Sequence, residues 1–145
     1  MACLIDTGVL LRAFDATSAD YRVIRQALRT LWARHEELIV TVQNLAEYWN
    51  VSTRPVDKNG YGLSPDRAAK RLNLIERFCE VLTEDGHSFR IWKGLLASYS
   101  LTGVSVHGAR LASVMLSRGI ASVLTLNERE FRRYAGIAVL TPSNL

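Results

Sequence analysis

The chain of 145 residues is 48% hydrophobic, which suffices for one globular domain with its own core and is too short for two. Eighteen Lys and Arg against fourteen Asp and Glu give a net charge of +4, a mild excess that suits a polyanionic partner without requiring one. The chain shows neither a signal peptide nor an apolar stretch of about 18 residues, so we expect a cytoplasmic protein without a membrane span.

Short apolar runs alternate with amphipathic segments along the chain. The short runs predict buried strands at 2–5, 38–42, 81–83, 121–125 and 137–140. The spacing of apolar residues predicts helices near 8–14, 18–34, 43–49, 64–79, 87–99, 104–119 and 127–134. This alternation predicts an α/β domain with a mainly parallel central sheet.

The longest connection predicted between these elements is Arg54–Leu63, in which Pro55 and an Asn-Gly pair disfavour regular structure. A loop of that length in a compact domain is often functional. The three tryptophans fit the apolar spacing of their helices, so we expect them in the core rather than stacked on nucleic-acid bases: Trp32, Trp49 and Trp92.

Asp6 comes directly after the first predicted strand. In an open α/β sheet this position lies at the crevice beyond the carboxyl ends of the strands, where such folds bind ligands. The alternative interpretation is that Asp6 or Thr7 caps the helix that begins near Gly8. The stretch alone leaves both interpretations open.

Further acidic side chains approach the same edge of the sheet. Glu47 follows the second strand, and the segment Asn127–Glu130 follows a later one. Because clustered carboxylates repel one another, such a cluster needs a cation or a shared proton. Mg²⁺ and Mn²⁺ prefer oxygen ligands, so metal-assisted phosphodiester hydrolysis is a candidate activity.

Five segments occur in an order and at separations that together match one family: Leu4–Leu11, Gln43–Pro55, Asn59–Leu63, Val106–Ala112 and Leu124–Phe131. With these segments the chain resembles a PIN domain, the ribonuclease fold of VapC-like toxins in bacterial toxin–antitoxin pairs. The resemblance covers nearly the whole chain and implies a single PIN domain over residues 1–145. The implied fold is a three-layer α/β/α arrangement around a mainly parallel sheet.

The resemblance also implies a metal-dependent endoribonuclease with Mg²⁺ or Mn²⁺ as cofactor. Asp6 would be the central metal ligand, and Glu47 would bind the metal or hold the attacking water. Asn127 and Glu130 would orient water at the metal, and Glu130 also counts among the implied metal-binding residues. The implied partners are an RNA substrate, an antitoxin whose C-terminal segment covers the acidic pocket, and a second copy of the chain in a homodimer.

The chain departs from the family pattern at Gly108, where the family has an aspartate that counts as the third metal-binding acid. Glu130 also replaces the aspartate usual in the Asn-x-x-Asp-Phe segment, so that carboxylate is on a longer side chain. Either the metal is held by the remaining acids with extra waters, or it binds poorly. Gly108 is then either native to a degenerate member that binds RNA or a partner without cleavage, or an inactivating substitution, which is the interpretation we favour from sequence.

Three further residues lie close to Asp6 or Gly108 in the sequence. Thr7 would contact the scissile phosphate through its hydroxyl or N–H group, unless it caps the helix. Arg110 would either contact phosphate or pair with Glu47 or Glu130. For His107 we expect a structural hydrogen bond rather than a general-base role, because metal-dependent hydrolysis does not need a histidine base.

Overall fold

The computed structural model describes residues 1–145 and contains one five-stranded sheet in the order β3-β2-β1-β4-β5. All neighbouring strands are parallel. The strands are β1 Ala2–Ile5, β2 Glu37–Thr41, β3 Glu80–Leu82, β4 Ser122–Leu124 and β5 Ala138–Leu140. The predicted α/β class and parallel sheet are therefore confirmed.

The seven helices are α1 Thr7–Ala13, α2 Tyr21–Ala33, α3 Val42–Thr53, α4 Pro65–Phe78, α5 Gly86–Ser98, α6 Ser105–Arg118 and α7 Glu128–Arg132. Their ends differ from the predicted ones by up to a few residues. The largest shift at a helix start is at α2, because Ser18 accepts a hydrogen bond from the backbone of Asp20 in a turn that precedes it. None of the helices is long and apolar enough to span a membrane.

Helices cover both faces of the sheet, which explains why its strands are apolar on both sides. In β1, Cys3 and Ile5 pack against α1, α2 and α4 on one face. Leu4 packs on the opposite face with residues of α6 and α7, such as Met115 and Phe131. The sheet and the helices on its two faces form the predicted three layers, and helix α5 packs against α6.

The order of the strands places a crevice next to β1. The chain runs outward from β1 through β2 to β3, then returns to the other side of β1 for β4 and β5. Connections therefore diverge from the carboxyl ends of β1 and β4, and such a switch point is where open α/β sheets bind ligands. Asp6 follows β1 and Thr125 follows β4, so both lie at this point.

The connection between α3 and α4 folds back onto the end of α3. Tyr61 donates its backbone N–H to Val51 (3.0 Å) and Leu63 donates to Ser52 (2.8 Å). Gly60 lies against the carbonyl group of Arg54, so closely that a Cβ atom there would overlap with it. A backbone contact of this kind cannot be relieved by rotating a side chain.

Replacing Gly60 with alanine should lower the free energy of unfolding by about 1–3 kcal/mol, because the added methyl group forces the backbone apart. Denaturation in urea measures this. Gly86→Ala is the matched control, since its Cβ would be 3.6 Å from a flexible arginine side chain. Equal effects of the two substitutions would contradict the packing described for the loop.

The predicted core position of the tryptophans is wrong for Trp32, which is 54% exposed. Its ring packs edge-on against Phe78, which is 55% exposed, with ring centroids 5.6 Å apart. The pair lies at the mouth of a largely apolar cavity of about 700 Å³ between α2, α4 and the sheet. The apolar face of α2 therefore extends past the packed core, and Trp32 lies on the exposed part of that face. Trp49 and Trp92 are half-buried.

Candidate active site

Asp6 is both the cap of α1 and the acid at the switch point. Its Oδ1 accepts from the backbone N–H of Thr7 (2.9 Å), which makes it the N-cap. Its Oδ2 accepts from the hydroxyl of Thr125 (2.7 Å), across the gap between β1 and β4. Burial raises the pKa of Asp6 above its ordinary value, and these two hydrogen bonds only partly offset the effect. The two interpretations of Asp6 are thus compatible.

Thr7 connects Asp6 to Glu47. Its hydroxyl donates to Glu47 Oε1 (3.0 Å) and accepts from the side-chain amide of Asn44 (3.1 Å). Asn44 is fully buried, and its Oδ1 accepts from the backbone and the hydroxyl of Thr41 in a capping box at the start of α3. The first turn of α3 is therefore fixed relative to α1, and Glu47 is positioned with it. Thr7 itself is not the helix cap.

The third approach to the crevice comes from the segment after β4. Thr125 accepts a hydrogen bond from the backbone of Asn127 (2.9 Å) while it donates to Asp6. The Asn127 amide donates to Glu130 Oε2 over a long 3.4 Å. Glu130 lies against the backbone of Gly108 in α6, where a Cβ atom would be 2.5 Å from its Cγ and 2.7 Å from its Cδ.

The three predicted carboxylates lie within one another's electric field. Burial is the main cause that raises the pKa of Glu47 and of Glu130. The charge of Asp6 raises both pKa values further, and the charge of Glu47 also raises that of Glu130. None of the four ion pairs of the structure includes Asp6, Glu47 or Glu130. The structure thus brings these three acids to the same edge of the sheet.

The predicted pairing of Arg110 is wrong. Its Nε donates to Glu84 Oε1 (3.0 Å), and it forms an ion pair there rather than with Glu47 or Glu130. Glu84 follows β3, so its position relative to Arg110 is set by where that short strand ends. Arg110 still faces the open cleft of about 670 Å³ that is also lined by Glu47.

His107 does not make the predicted structural hydrogen bond through its ring. The residue is exposed, and its backbone carbonyl accepts from the side-chain amide of Gln43 (3.0 Å). This bond joins the starts of α3 and α6. The imidazole is left on the rim of the same cleft as Glu47.

Two residues that hold the site together were not singled out from sequence. Thr125 donates the hydrogen bond that links Asp6 to the end of β4, and the side-chain amide of Asn44 donates to the hydroxyl of Thr7. The sequence contains a pattern that could have identified Asn44, because Thr41 and Asn44 have the spacing of a capping box at a helix N-terminus. No pattern in the sequence distinguishes Thr125 from any other threonine that follows a strand.

The donor set of the crevice fits a hard divalent cation in its chemistry. It consists of carboxylate oxygens whose pKa values are raised, by burial for Asp6 and by burial and neighbouring carboxylates for Glu47 and Glu130. A bound cation relieves the repulsion between such carboxylates. As placed, however, no group of three or more His, Cys, Asp or Glu side chains is close enough to hold a metal ion. The donor type therefore fits Mg²⁺ or Mn²⁺, while the side chains do not form a closed set of direct ligands.

Comparison with known proteins decides the family, since the family model for the PIN domain matches residues 3–137. The chain belongs to the PIN domain family. No curated protein sequence matches it significantly. The PIN fold of this chain is also similar to several solved structures of toxin–antitoxin proteins.

One of these structures is FitAcB from Neisseria gonorrhoeae, with a TM-score of 0.72, 15% identity and full coverage of both chains (100%). Another is VapBC2 from Rickettsia felis bound to a DNA fragment from their promoter, with a TM-score of 0.71, 17% identity and coverage of 97% of this chain and 98% of that one. The third is VapC20 from Mycobacterium tuberculosis, described as a Sarcin-Ricin loop cleaving toxin, with a TM-score of 0.64, 14% identity and coverage of 90% and 92%. At these identities the similarity concerns the fold.

The raised pKa of Glu130 predicts a pH-dependent gain in stability for Glu130→Gln. A carboxyl whose pKa rises on folding stabilises the fold when protonated, and this contribution is lost as pH rises above its ordinary value of 4.5. Without divalent cations, the variant should therefore melt a few degrees above the parent near pH ~8 and at the same temperature near pH ~4.

Calorimetric melting curves measure this difference. The control is Glu128→Gln, which removes a carboxylate paired with Arg132 at 3.0 Å and should give no gain. A gain for Glu130→Gln of the same size at both pH values would contradict the electrostatic account.

Proposed function

We propose that this PIN domain is a metal-dependent endoribonuclease that acts as the toxin of a toxin–antitoxin pair. The observation that carries the proposal is the convergence of Asp6, Glu47 and Glu130 at the switch point, without an ion-pair partner. PIN nucleases generally use divalent metals, and half-buried carboxylates with raised pKa values suit that use. The similarity to VapC20, a toxin described by its cleavage of the Sarcin-Ricin loop, supports RNA as the substrate.

The acidic residues of the crevice would each contribute oxygen ligands to a bound cation in a different way. Asp6 is fixed by one hydrogen bond to each carboxylate oxygen, and each oxygen keeps a further lone pair for a metal ligand role. Glu47 is held through Oε1 only, so Oε2 is available to a metal ion or to a water molecule. Glu130 and Asn127 complete the set from the β4 side. The chemistry that a bound Mg²⁺ or Mn²⁺ supplies is a lowered pKa of coordinated water and neutralisation of charge at the phosphate.

Basic groups on the rim of the crevice would hold the polyanionic substrate. His107 and Arg110 line the cleft beside Glu47, and Arg133 lies close enough to Glu130 for its charge to oppose the effect of burial on the pKa of that acid. The net charge of +4 favours association with RNA at low salt. Thr7 is less suited to phosphate than its sequence position indicated, because its hydroxyl proton is donated to Glu47.

Asp6→Asn should reduce cleavage of RNA by more than about 100-fold while the fold is retained, because the amide keeps a hydrogen-bond acceptor but removes a metal-binding charge. Cleavage of a pool of structured RNAs with Mn²⁺, and with a chelator, measures this. Asp57→Asn, at an exposed position of the loop after α3, is the control. Equal cleavage by the parent and Asp6→Asn would contradict the proposed active site.

The second candidate function is binding without cleavage, and the observation in its favour is Gly108, which supplies no carboxylate. On this alternative the parent chain binds RNA or an antitoxin and leaves the RNA intact with or without Mn²⁺. The cleavage experiment therefore separates the two functions directly.

The apolar cavity between α2 and α4 is the surface we assign to the antitoxin. Trp32, Phe78 and Leu74 are exposed around it, and Arg25 and Arg29 line it as basic groups. A contiguous group of exposed apolar side chains commonly marks a protein interface. Solved neighbours of the chain are themselves toxin–antitoxin complexes, including one from Klebsiella pneumoniae with 17% identity. A homodimer stays a prediction.

Trp32→Ala should weaken binding of the cognate antitoxin by at least about tenfold, because exposed aromatic anchors supply much of the energy of interfaces. RNA cleavage by the isolated variant should not change. Titration calorimetry measures the affinity, with Val56→Ala, 73% exposed on the loop after α3, as the control. Unchanged affinity for Trp32→Ala would place the antitoxin elsewhere.

A further inference from the structure

Gly108 is buried at the end of the first turn of α6, at the point where α6 faces α7. The side chain of Glu130 fills the volume into which any side chain at position 108 would extend. A Cβ atom there would lie 2.5 Å from Glu130 Cγ and 2.7 Å from its Cδ, and it would also overlap with Oε1. Distances under about 3 Å between carbon atoms are not tolerated without movement, since optimal contacts are about 3.5–4.0 Å.

We propose that Gly108 and Glu130 act as a pair, in which the missing side chain at 108 admits the longer Glu130 carboxylate into the crevice as its third acid. This inference rests on the proposed function, because it assigns Glu130 to the same metal site. It replaces the interpretation of Gly108 as a lost ligand in an otherwise ordinary site. The two positions share one volume, so an acid at 108 and the present placement of Glu130 exclude each other.

The placement of Glu130 is supported from two sides. Gly108 leaves the space on the α6 side, and the Asn127 amide donates to Oε2 on the α7 side. Helices α6 and α7 are held close to each other by Tyr134, which packs on Ala109 and Ala112 of α6. The longer arm of Glu130 thus crosses from α7 to the wall of the crevice that α6 provides.

Substitution at Gly108 should move a ligand rather than unfold the domain. The three atoms nearest to a Cβ at this position belong to the Glu130 side chain, which can rotate away, and not to the backbone of a neighbouring element. Alanine is otherwise preferred to glycine within a helix. The expected result is a folded protein whose Glu130 carboxylate has left the crevice.

The first experiment is a double-mutant cycle on Mn²⁺ affinity, measured by titration calorimetry on the full chain. Gly108→Ala and Glu130→Ala should each weaken Mn²⁺ binding by at least about tenfold, and the double variant should be no weaker than Glu130→Ala alone. Mn²⁺ affinity of Gly108→Ala equal to that of the parent, or additive losses in the double variant, would overturn the proposal.

The paired exchange tests the same point in the opposite direction. Gly108→Asp alone should not bind Mn²⁺ more tightly than the parent, because its carboxylate takes the place of Glu130 instead of adding to it. The combination of Gly108→Asp with Glu130→Asp should bind Mn²⁺ at least as tightly as Gly108→Asp alone, because the shorter side chain at 130 relieves the overlap. Tighter binding by Gly108→Asp alone than by the parent would overturn the proposal.

Melting temperatures without metal separate failure of the pair from failure of the proposed function. Gly108→Ala should raise the melting temperature more in the Glu130→Ala background than in the parent, because the colliding side chain is gone. Gly94→Ala in α5 is the matched control, since nothing lies within 4 Å of its Cβ, and its effect should be equal in both backgrounds.

Failure of the Gly108–Glu130 pair and failure of the proposed function give different results in these experiments. An effect of Gly108→Ala that does not depend on residue 130 overturns the pair, whatever the calorimetry shows. A parent that binds no Mn²⁺ overturns the proposed function and, with it, the role of Glu130 as third acid, even where the melting temperatures show the coupling.

Discussion

The hydrogen bond from Thr125 to Asp6 is the contact on which the site depends. It joins the residues that follow β1 and β4, the two strands between which the direction of the connections reverses. With its other oxygen on the N–H of Thr7, Asp6 cannot turn toward solvent without losing both a helix cap and this link. The crevice acid is therefore held by the same contacts that fix the start of α1.

Repulsion between carboxylates disfavours the arrangement of acids in the crevice. Asp6, Glu47 and Glu130 come from three different segments, and each lies where burial raises its pKa. A fold selected for stability alone would place a basic side chain among them, yet the nearby Arg110 pairs with Glu84. An arrangement that lowers stability in this way is typical of functional sites. The hydroxyl and amide network of Thr7 and Asn44 holds Glu47 in place despite the repulsion.

The sequence predicted those parts of the structure that follow from chain topology. Alternating strands and helices fix a parallel sheet, and residues that follow strands must meet at its carboxyl edge, so the convergence of Asp6, Glu47 and Glu130 could be expected. The partner of Arg110 and the exposure of Trp32 could not. They depend on where β3 ends and on how far α2 extends past the filled core, which are set by packing between elements distant in sequence.

Gly108 illustrates the same limit for the site itself. From sequence it reads as the loss of an acid, because a glycine has no ligand to offer. Only the position of α7 against α6 shows that the Glu130 side chain fills the space. Two departures from the family pattern that look unrelated in the sequence are one steric arrangement in the fold, and the longer side chain at 130 is understandable only together with the glycine.

The most direct test of this account is a crystal structure grown with Mn²⁺, in which anomalous scattering locates the ion independently of the refined side chains. The account predicts one anomalous peak in the crevice, contacted by carboxylate oxygens of Asp6 and Glu130, with the Glu130 side chain lying over Gly108. A crevice without an anomalous peak, or a Glu130 side chain turned to solvent beside a bound ion, would contradict it.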